Sequence, residues 1–303
     1  MMENMSGNSI NKTYCKSRPW RKLVFVDSMT SRYGSADASD FRGVDNSPDP
    51  SAMIAMMDSL RPLNRVSRSV LLDRLRLTEA QAVLDVGCGT GDDLMEMARQ
   101  LPPGCRVEGV DASHAMIDEA RKRAAKAGVD ATFGVADALS LPYPDAAFDI
   151  CRMKTVLIHV ADPQQAVREM VRVTRPGGQV GVLELDNGTM VLDHPDQDLT
   201  RTILDAVCAS RAHPLIGRQL HRMFRAAGLT GVTADPVAFP APYKLIRAQF
   251  SPVVTRLCEE GVLTAGQADG WWSWLAREAE AGALTGAAIT FVVTGTREPG
   301  LPG

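Results

Sequence analysis

From about residue 80 onward, short apolar runs alternate with amphipathic stretches. "AVLDVG" (82–87) is an apolar run ended by glycine, the form of a strand buried on both faces of a parallel sheet. "DDLMEMARQL" (92–101) has helical spacing, and "RVEGVD" (106–111) reads as the next strand. "HAMIDEARKRAAKAG" (114–128) keeps its apolar residues on one helical face and stops at Gly128. "ATFGVAD" (131–137) and "FDICRMK" (148–154) are strands. "DPQQAVREMVRVT" (162–174) opens on Asp-Pro, an N-cap with proline at the first helical position. "RPGG" (175–178) predicts a turn, and "QVGVLELD" (179–186) a strand after it. A helix over "IGRQLHRMFRAAGL", a strand over "GVTADPVAF" and a strand over "AAITFVVTGTR" complete the pattern.

Strand and helix repeating at this spacing predict an α/β protein with a doubly wound, Rossmann-like sheet. Residues 51–77 read as helical with a break near Pro62, so residues 39–77 are expected to form an N-terminal helical lid. Residues 78–303 form the main domain. Helical insertions at about 190–215 and 242–284 fall where a cap over the carboxyl edge of the sheet would be built. Residues 1–38 differ in composition: they hold three of the seven lysines and three of the six asparagines. They are expected to be a flexible extension.

Composition narrows the function classes. The chain has 303 residues, 45% hydrophobic and 23% charged, too apolar for a disordered protein. A net charge of −3 offers no global basic field for nucleic acid or an anionic membrane. No run reaches the roughly 18 apolar residues of a membrane span. The N-terminal patch "LVFV" is too short for a signal-peptide core, so the reading is cytoplasmic. None of the six cysteines forms a C-x-x-C pair and no histidine cluster accompanies them, so neither a metal site nor a redox pair is expected.

The chemistry concentrates at "VLDVGCGTGDD" (83–93). Glycines at the end of a buried strand let the backbone turn and approach a ligand where a Cβ would clash. The spacing is G-x-G-x-G (Gly87, Gly89, Gly91), neither the dinucleotide fingerprint nor a P-loop. The second strand ends in Asp111, placed to accept from both hydroxyls of a ribose. The third ends in "ADAL", where Asp137 can take an adenine amino group.

In order and spacing these segments resemble the class I S-adenosylmethionine-dependent methyltransferases, closest to the ubiquinone/menaquinone-biosynthesis-like family. "VLDVGCGTG" is similar to their first motif and "VEGVDAS" to their acidic loop. "GVADALSLPYPDAAFDI" and "MVRVTRPGGQV" resemble the blocks leading into the fourth and fifth strands. The resemblance implies a seven-stranded sheet with the last strand antiparallel, and S-adenosylmethionine bound across the glycine loop, with S-adenosylhomocysteine as product. It places Gly87, Cys88, Gly89 and Gly91 around the methionine part, with Asp85 orienting the loop or holding the amino group. It puts Asp111 on the ribose, Ala112 and Met116 near adenine, and Asp137 and Ala138 on the adenine edge. Met153 and Lys154 would line the methionine side. "GDD" departs from the family's usual small or apolar residue. Asp92 can cap the helix, or Asp93 can touch the cofactor's ammonium.

A sulfonium is already an activated donor, so alignment and removal of the acceptor's proton are the remaining tasks. His159, in "TVLIHVADP", lies where similar sugar and phenol O-methyltransferases carry a histidine proposed as base. Glu184, in "VLELD", lies where they carry the acid that orients it, with Asp186 the nearby alternative. His194 could reach a pocket under the cap. "LDNG" is in the wrong register for a metal-dependent catechol type, so no metal is expected. Two readings stand for "WWSWL": core of the cap, or Trp271 and Trp272 lining an aromatic substrate pocket together with Met190, Phe239 and Tyr243. Met53, Met56 and Met57 share one helical face, as core or as pocket wall, and Phe41 and Arg42 could close over the cofactor.

Together these readings predict a methyltransferase acting on oxygen or nitrogen of a small, bulky or aromatic natural-product acceptor. The alternatives are a carbon acceptor, a cofactor-binding cyclase of the same fold, or a protein substrate. The last predicts an open groove with exposed tryptophans.

Overall fold

A computed structural model describes Asp45 and residues 50–299. The proposed extension at 1–38, Cys15, Phe41, Arg42 and the side chain of Met53 lie outside the described residues. The parallel strands are β1 (Ala82–Val86), β2 (Arg106–Asp111), β3 (Thr132–Val135), β4 (Phe148–Lys154) and β5 (Thr174–Leu192). With β6 (Leu229–Pro240) and β7 (Gly286–Arg297) they form one seven-stranded sheet in the order β3-β2-β1-β4-β5-β7-β6. The last strand, β7, runs antiparallel to both β5 and β6.

The apolar strands are buried because helices cover both faces. On one face lie α2 (Arg65–Arg74), α3 (Asp92–Ala98) and α4 (His114–Ala127), whose Leu71, Leu94 and Ile117 share a core with Val83 and Ile150. On the other lie α5 (Pro163–Val173) and α7 (Ile216–Ala226), whose Val167, Met170, Leu220 and Phe224 pack on Cys151, Met153 and Val182. Asp162 caps α5 through the Gln165 amide, 2.9 Å away, as Asp-Pro suggests. The expected turn at "RPGG" is instead a bulge within β5, because Thr174 already pairs with Phe148 before Gln179 pairs with Ile150.

The cap helices are α6 (Gln197–Ala209), α8 (Tyr243–Glu259) and α9 (Ala265–Glu280). Trp271 sits at their centre, 1% exposed, and its indole N–H donates to Thr200 Oγ1 at 3.0 Å. Ile203, Ile246, Phe250 and Leu275 surround it. The cap builds its own core beyond the ends of β5 and β7, where Leu192 pairs with Gly286. Helix α1 (Pro50–Leu60) and a 3₁₀ turn (Arg61–Asn64) precede α2. No described helix is long and apolar enough to cross a membrane.

Candidate functional site

A cavity of about 570 Å³ opens at the carboxyl ends of β1, β2, β3 and β4. Its floor is the β1–α3 loop, which local geometry fixes tightly. The amides of Gly87 and Cys88 both donate to Val110 O, at 2.7 and 2.9 Å. Gly87 has φ +70°, and a methyl group built on it would fall inside the van der Waals shell of Val156 Cγ2. Glycine is required there both by the backbone and by the approach of the β4–α5 loop. Asp111 ties the loop from β2: its Oδ2 accepts from Gly89 N at 2.9 Å and its Oδ1 from Ser113 N at 3.0 Å. Asp137 turns the chain after β3, accepting from Leu139 N at 2.8 Å.

A charged network underlies the loop. Asp85 is 1% exposed and faces Arg152 on the adjacent strand, 3.2 Å away. Burial pushes its carboxyl up to about 6, with the Arg152 charge opposing. Neither Asp85 oxygen has a hydrogen-bond partner. Asp93 collects four cations: Lys154 at 2.5 Å, Arg68 at 3.0 Å, Arg152 at 3.4 Å and Arg61 at 3.7 Å. Burial works to raise its carboxyl, but the Lys154 and Arg152 charges outweigh it and hold it well below the usual range.

Residues 83–178 match the family described as "Methyltransferase domain". The demethylmenaquinone methyltransferase of Thermus thermophilus is 34% identical over 163 residues, which cover 54% of this chain and 69% of that protein. The chain belongs to the class I S-adenosylmethionine-dependent methyltransferases. The 27-O-demethylrifamycin SV methyltransferase of Amycolatopsis mediterranei is 38% identical over 114 residues, 37% of this chain and 41% of that protein. The chain spans about half the length of other curated relatives it matches, 50%, 55% and 51%. The crystal structure of YcgJ from Bacillus subtilis shares the fold, with a TM-score of 0.56 at 20% identity over 78% of this chain and 100% of that one.

The cavity brings together Asp85, Gly87, Cys88, Gly89, Asp111, Ala112, Met116, Asp137, Ala138, Lys154 and His159. Other expected site residues are placed elsewhere. Met153 is fully buried in the α5/α7 core, because alternation along β4 turns it to the face opposite Arg152. Gly91 does not line the cavity; it is the left-handed N-cap of α3, packed where a Cβ would meet Phe133 at 2.8 Å. Trp271, Trp272, Tyr243 and Met190 all belong to the cap cluster, and none lines the cavity. His194 is buried against Trp271 and Trp274, its Nδ1 accepting from Asp196 N at 3.0 Å. Asp186 is held by both sides of Arg218, at 2.6 and 2.7 Å. Among the described residues no group of His, Cys, Asp and Glu is arranged to hold a metal ion.

Glu184 corrects a finer expectation. Its Oε1 accepts from the amides of Val156 and Leu157, at 2.7 and 2.6 Å, while its Oε2 has no partner. The acid therefore grips the backbone of the loop that carries His159, and not the imidazole itself. Its full burial pushes the carboxyl up to about 8, against the opposing bonds from Leu157, Val156 and Ile158. The ordinary value of a glutamate carboxyl is 4.5. A raised acid stabilises the fold fully below 4.5 and loses that contribution as pH rises to about 8. Glu184→Gln keeps the amide acceptor without the titration. Urea melts at pH 5, 6.5 and 8 are expected to show wild type losing stability relative to this variant; parallel profiles would refute the assignment.

The two readings of "GDD" resolve differently. The N-cap is Gly91 and not Asp92; Asp92 sits in the first turn of α3, accepting from Thr90 Oγ1 at 2.9 Å and pairing with Arg123 at 2.6 Å. Asp93 faces the cavity but is committed to its four cations. Sequence reasoning missed Arg152, Arg61 and the loop residues Thr155, Val156 and Val160, all in the cavity wall. Arg152 carried a signal: an arginine inside a strand buried on both faces demands a counter-charge.

Proposed function

We propose that this chain transfers a methyl group from S-adenosylmethionine to an oxygen or nitrogen of a small, uncharged, largely apolar acceptor. One observation carries the reading: a single cavity gathers the glycine loop, Asp111, Asp137 and His159 from the ends of four adjacent strands. The residues fit the cofactor. The loop is a cradle with no side chain at Gly87 or Gly89, and Asp85 offers two buried oxygens without hydrogen-bond partners, one of them facing Arg152. Asp111 uses one bond per oxygen on the backbone, and a carboxylate has about four acceptor positions, so two remain for ribose hydroxyls. Asp137 and Ala138 would read the adenine edge, and Asp85 would hold the ammonium. Lys154 would lie beside the methionine part. Bound there, the cofactor supplies its methyl as an activated sulfonium.

Acceptor positioning falls to Met57, Leu60, Val156, Val160 and Ala161, apolar residues in the wall of the cavity that His159 also lines. The cations in the wall are committed to acids, Lys154 and Arg152 to Asp93 and Arg61 to Glu96, which favours an uncharged partner. His159 would take the acceptor's proton as a base suited to neutral pH. The Amycolatopsis relative is named for methylation at an oxygen, which supports the same choice here.

Calorimetric titration with S-adenosylmethionine and S-adenosylhomocysteine tests the cofactor, and detection of S-adenosylhomocysteine in turnover tests the transfer. Micromolar affinity corresponds to about −8 kcal/mol. Binding is expected to collapse in Asp111→Ala, while His159→Asn binds normally but turns over more slowly. No binding by the wild-type chain would overturn the reading, and unchanged turnover in His159→Asn would remove the base and favour a nitrogen acceptor, which needs only positioning when neutral.

A further inference from the structure

Helix α1 crosses the cavity without a core of its own. Met57, Asp58 and Leu60 line the cavity, yet none of the described α1 side chains is buried. Apolar burial therefore contributes little to holding it, and elements held this way open easily. Polar tethers to α4 take that place. Asp45, before the helix, accepts from Ser113 Oγ at 2.6 Å, His114 N at 2.9 Å and Ala115 N at 3.0 Å. It thus sits on the N-terminus of α4, where the helix dipole favours a carboxylate. Toward the other end of α1, Asp58 meets Arg123 in a two-pronged pair, Nη1 to Oδ1 at 2.8 Å and Nη2 to Oδ2 at 3.0 Å.

Arg123 is well placed for this. Its Nη1 also reaches Asp92 on α3 at 2.6 Å, and its Nε bonds Glu119 one turn earlier at 2.9 Å. The guanidinium is thus fixed to α3 and α4 before it meets α1, so ordering it again on closure costs little. Met57 adjoins Asp58, and its ε-methyl lies 2.9 Å from where a Cβ on Gly89 would be. Moving Asp58 therefore moves the roof over the glycine loop.

We propose that Arg123 is a positioning residue that latches α1 across the cavity through Asp58, so that this ion pair sets the rate of cofactor exchange. The proposal rests on the cofactor reading above, and it goes beyond it by assigning the gate. Asp58 is 45% exposed, so the latch is screened by salt. The pair touches none of the groups assigned to ribose, adenine or His159.

The test uses the full chain with Asp58→Ala and Asp58→Glu. Hydrogen exchange without ligand reads the latch alone: amides of residues 50–60 are expected to exchange about two- to fivefold faster in Asp58→Ala, the range of an exposed ion pair. Asp58→Glu is expected to restore part of the protection. Displacement of S-adenosylhomocysteine is expected to show release faster by a similar factor in Asp58→Ala. Salt should speed release in wild type but hardly in the variant. Unchanged exchange in α1, or equal release rates and salt slopes, would overturn the latch. Absence of cofactor binding by wild type would instead overturn the cofactor reading, leaving the exchange measurement to decide the latch.

Discussion

Gly87→Ala is expected to lose cofactor binding and about 2–5 kcal/mol of stability together. Two costs add. The residue sits at φ +70°, where an L side chain costs about 1–2 kcal/mol. The new methyl also enters the space of Val156 Cγ2, and overpacking of this kind costs about 1–3 kcal/mol. Val156 is β-branched and cannot swing aside freely. Its backbone is moreover held by Glu184 through the 2.7 Å bond. The strain must therefore move the glycine loop or the β4–α5 loop, and both line the cavity. Adding Val156→Ala should return the steric part and leave the backbone part. Chemical denaturation and titration of the single and double variants check this. A single variant with wild-type binding would show that the loop conformation is not what forms the site.

Asp93→Ala is expected to destabilise the fold by about 3–5 kcal/mol, the range for breaking a buried ion pair from one side. Asp93 is 7% exposed and answers Arg68 from α2 and Arg152 and Lys154 from β4. Without it, Arg152 keeps only Asp85, and Arg68 keeps only Glu96 at 3.6 Å. In a domain of this size each kcal/mol shifts Tm by about 2–4 °C, so the loss is on the order of 10 °C. Asp93→Asn removes the charge but keeps acceptor geometry and should fall between. Thermal melts of both variants decide the matter. A change under about 0.5 kcal/mol, typical of ordinary surface substitutions, would mean that water already screens the cluster.

The glycine loop and the two strand-end acids were legible because their roles depend on local order. A strand, a turn and a helix are neighbours in sequence, and the register of β1 on β2 brings Asp111 beside Gly89 without help from distant parts. The same locality explains Asp162 on α5 and Gly128 at the end of α4. The tryptophans were not legible in this way. Helical spacing told that they share a helix, but burial of Trp271 depends on Thr200, 71 residues away.

The sequence by itself determined the alternation of strands and helices, the cradle at 87–91, and which strand ends carry acids, because periodicity and backbone demands of glycine act within a few residues. The tertiary structure alone decided where long side chains spend their charge. Glu184 turns to amides 27 and 28 residues away, Arg152 meets Asp93 across 59, and Arg123 reaches Asp58 across 65. Such pairings follow from which elements become neighbours in space. They are set by burial and by the high energy of an unpaired charge, and no local pattern encodes them.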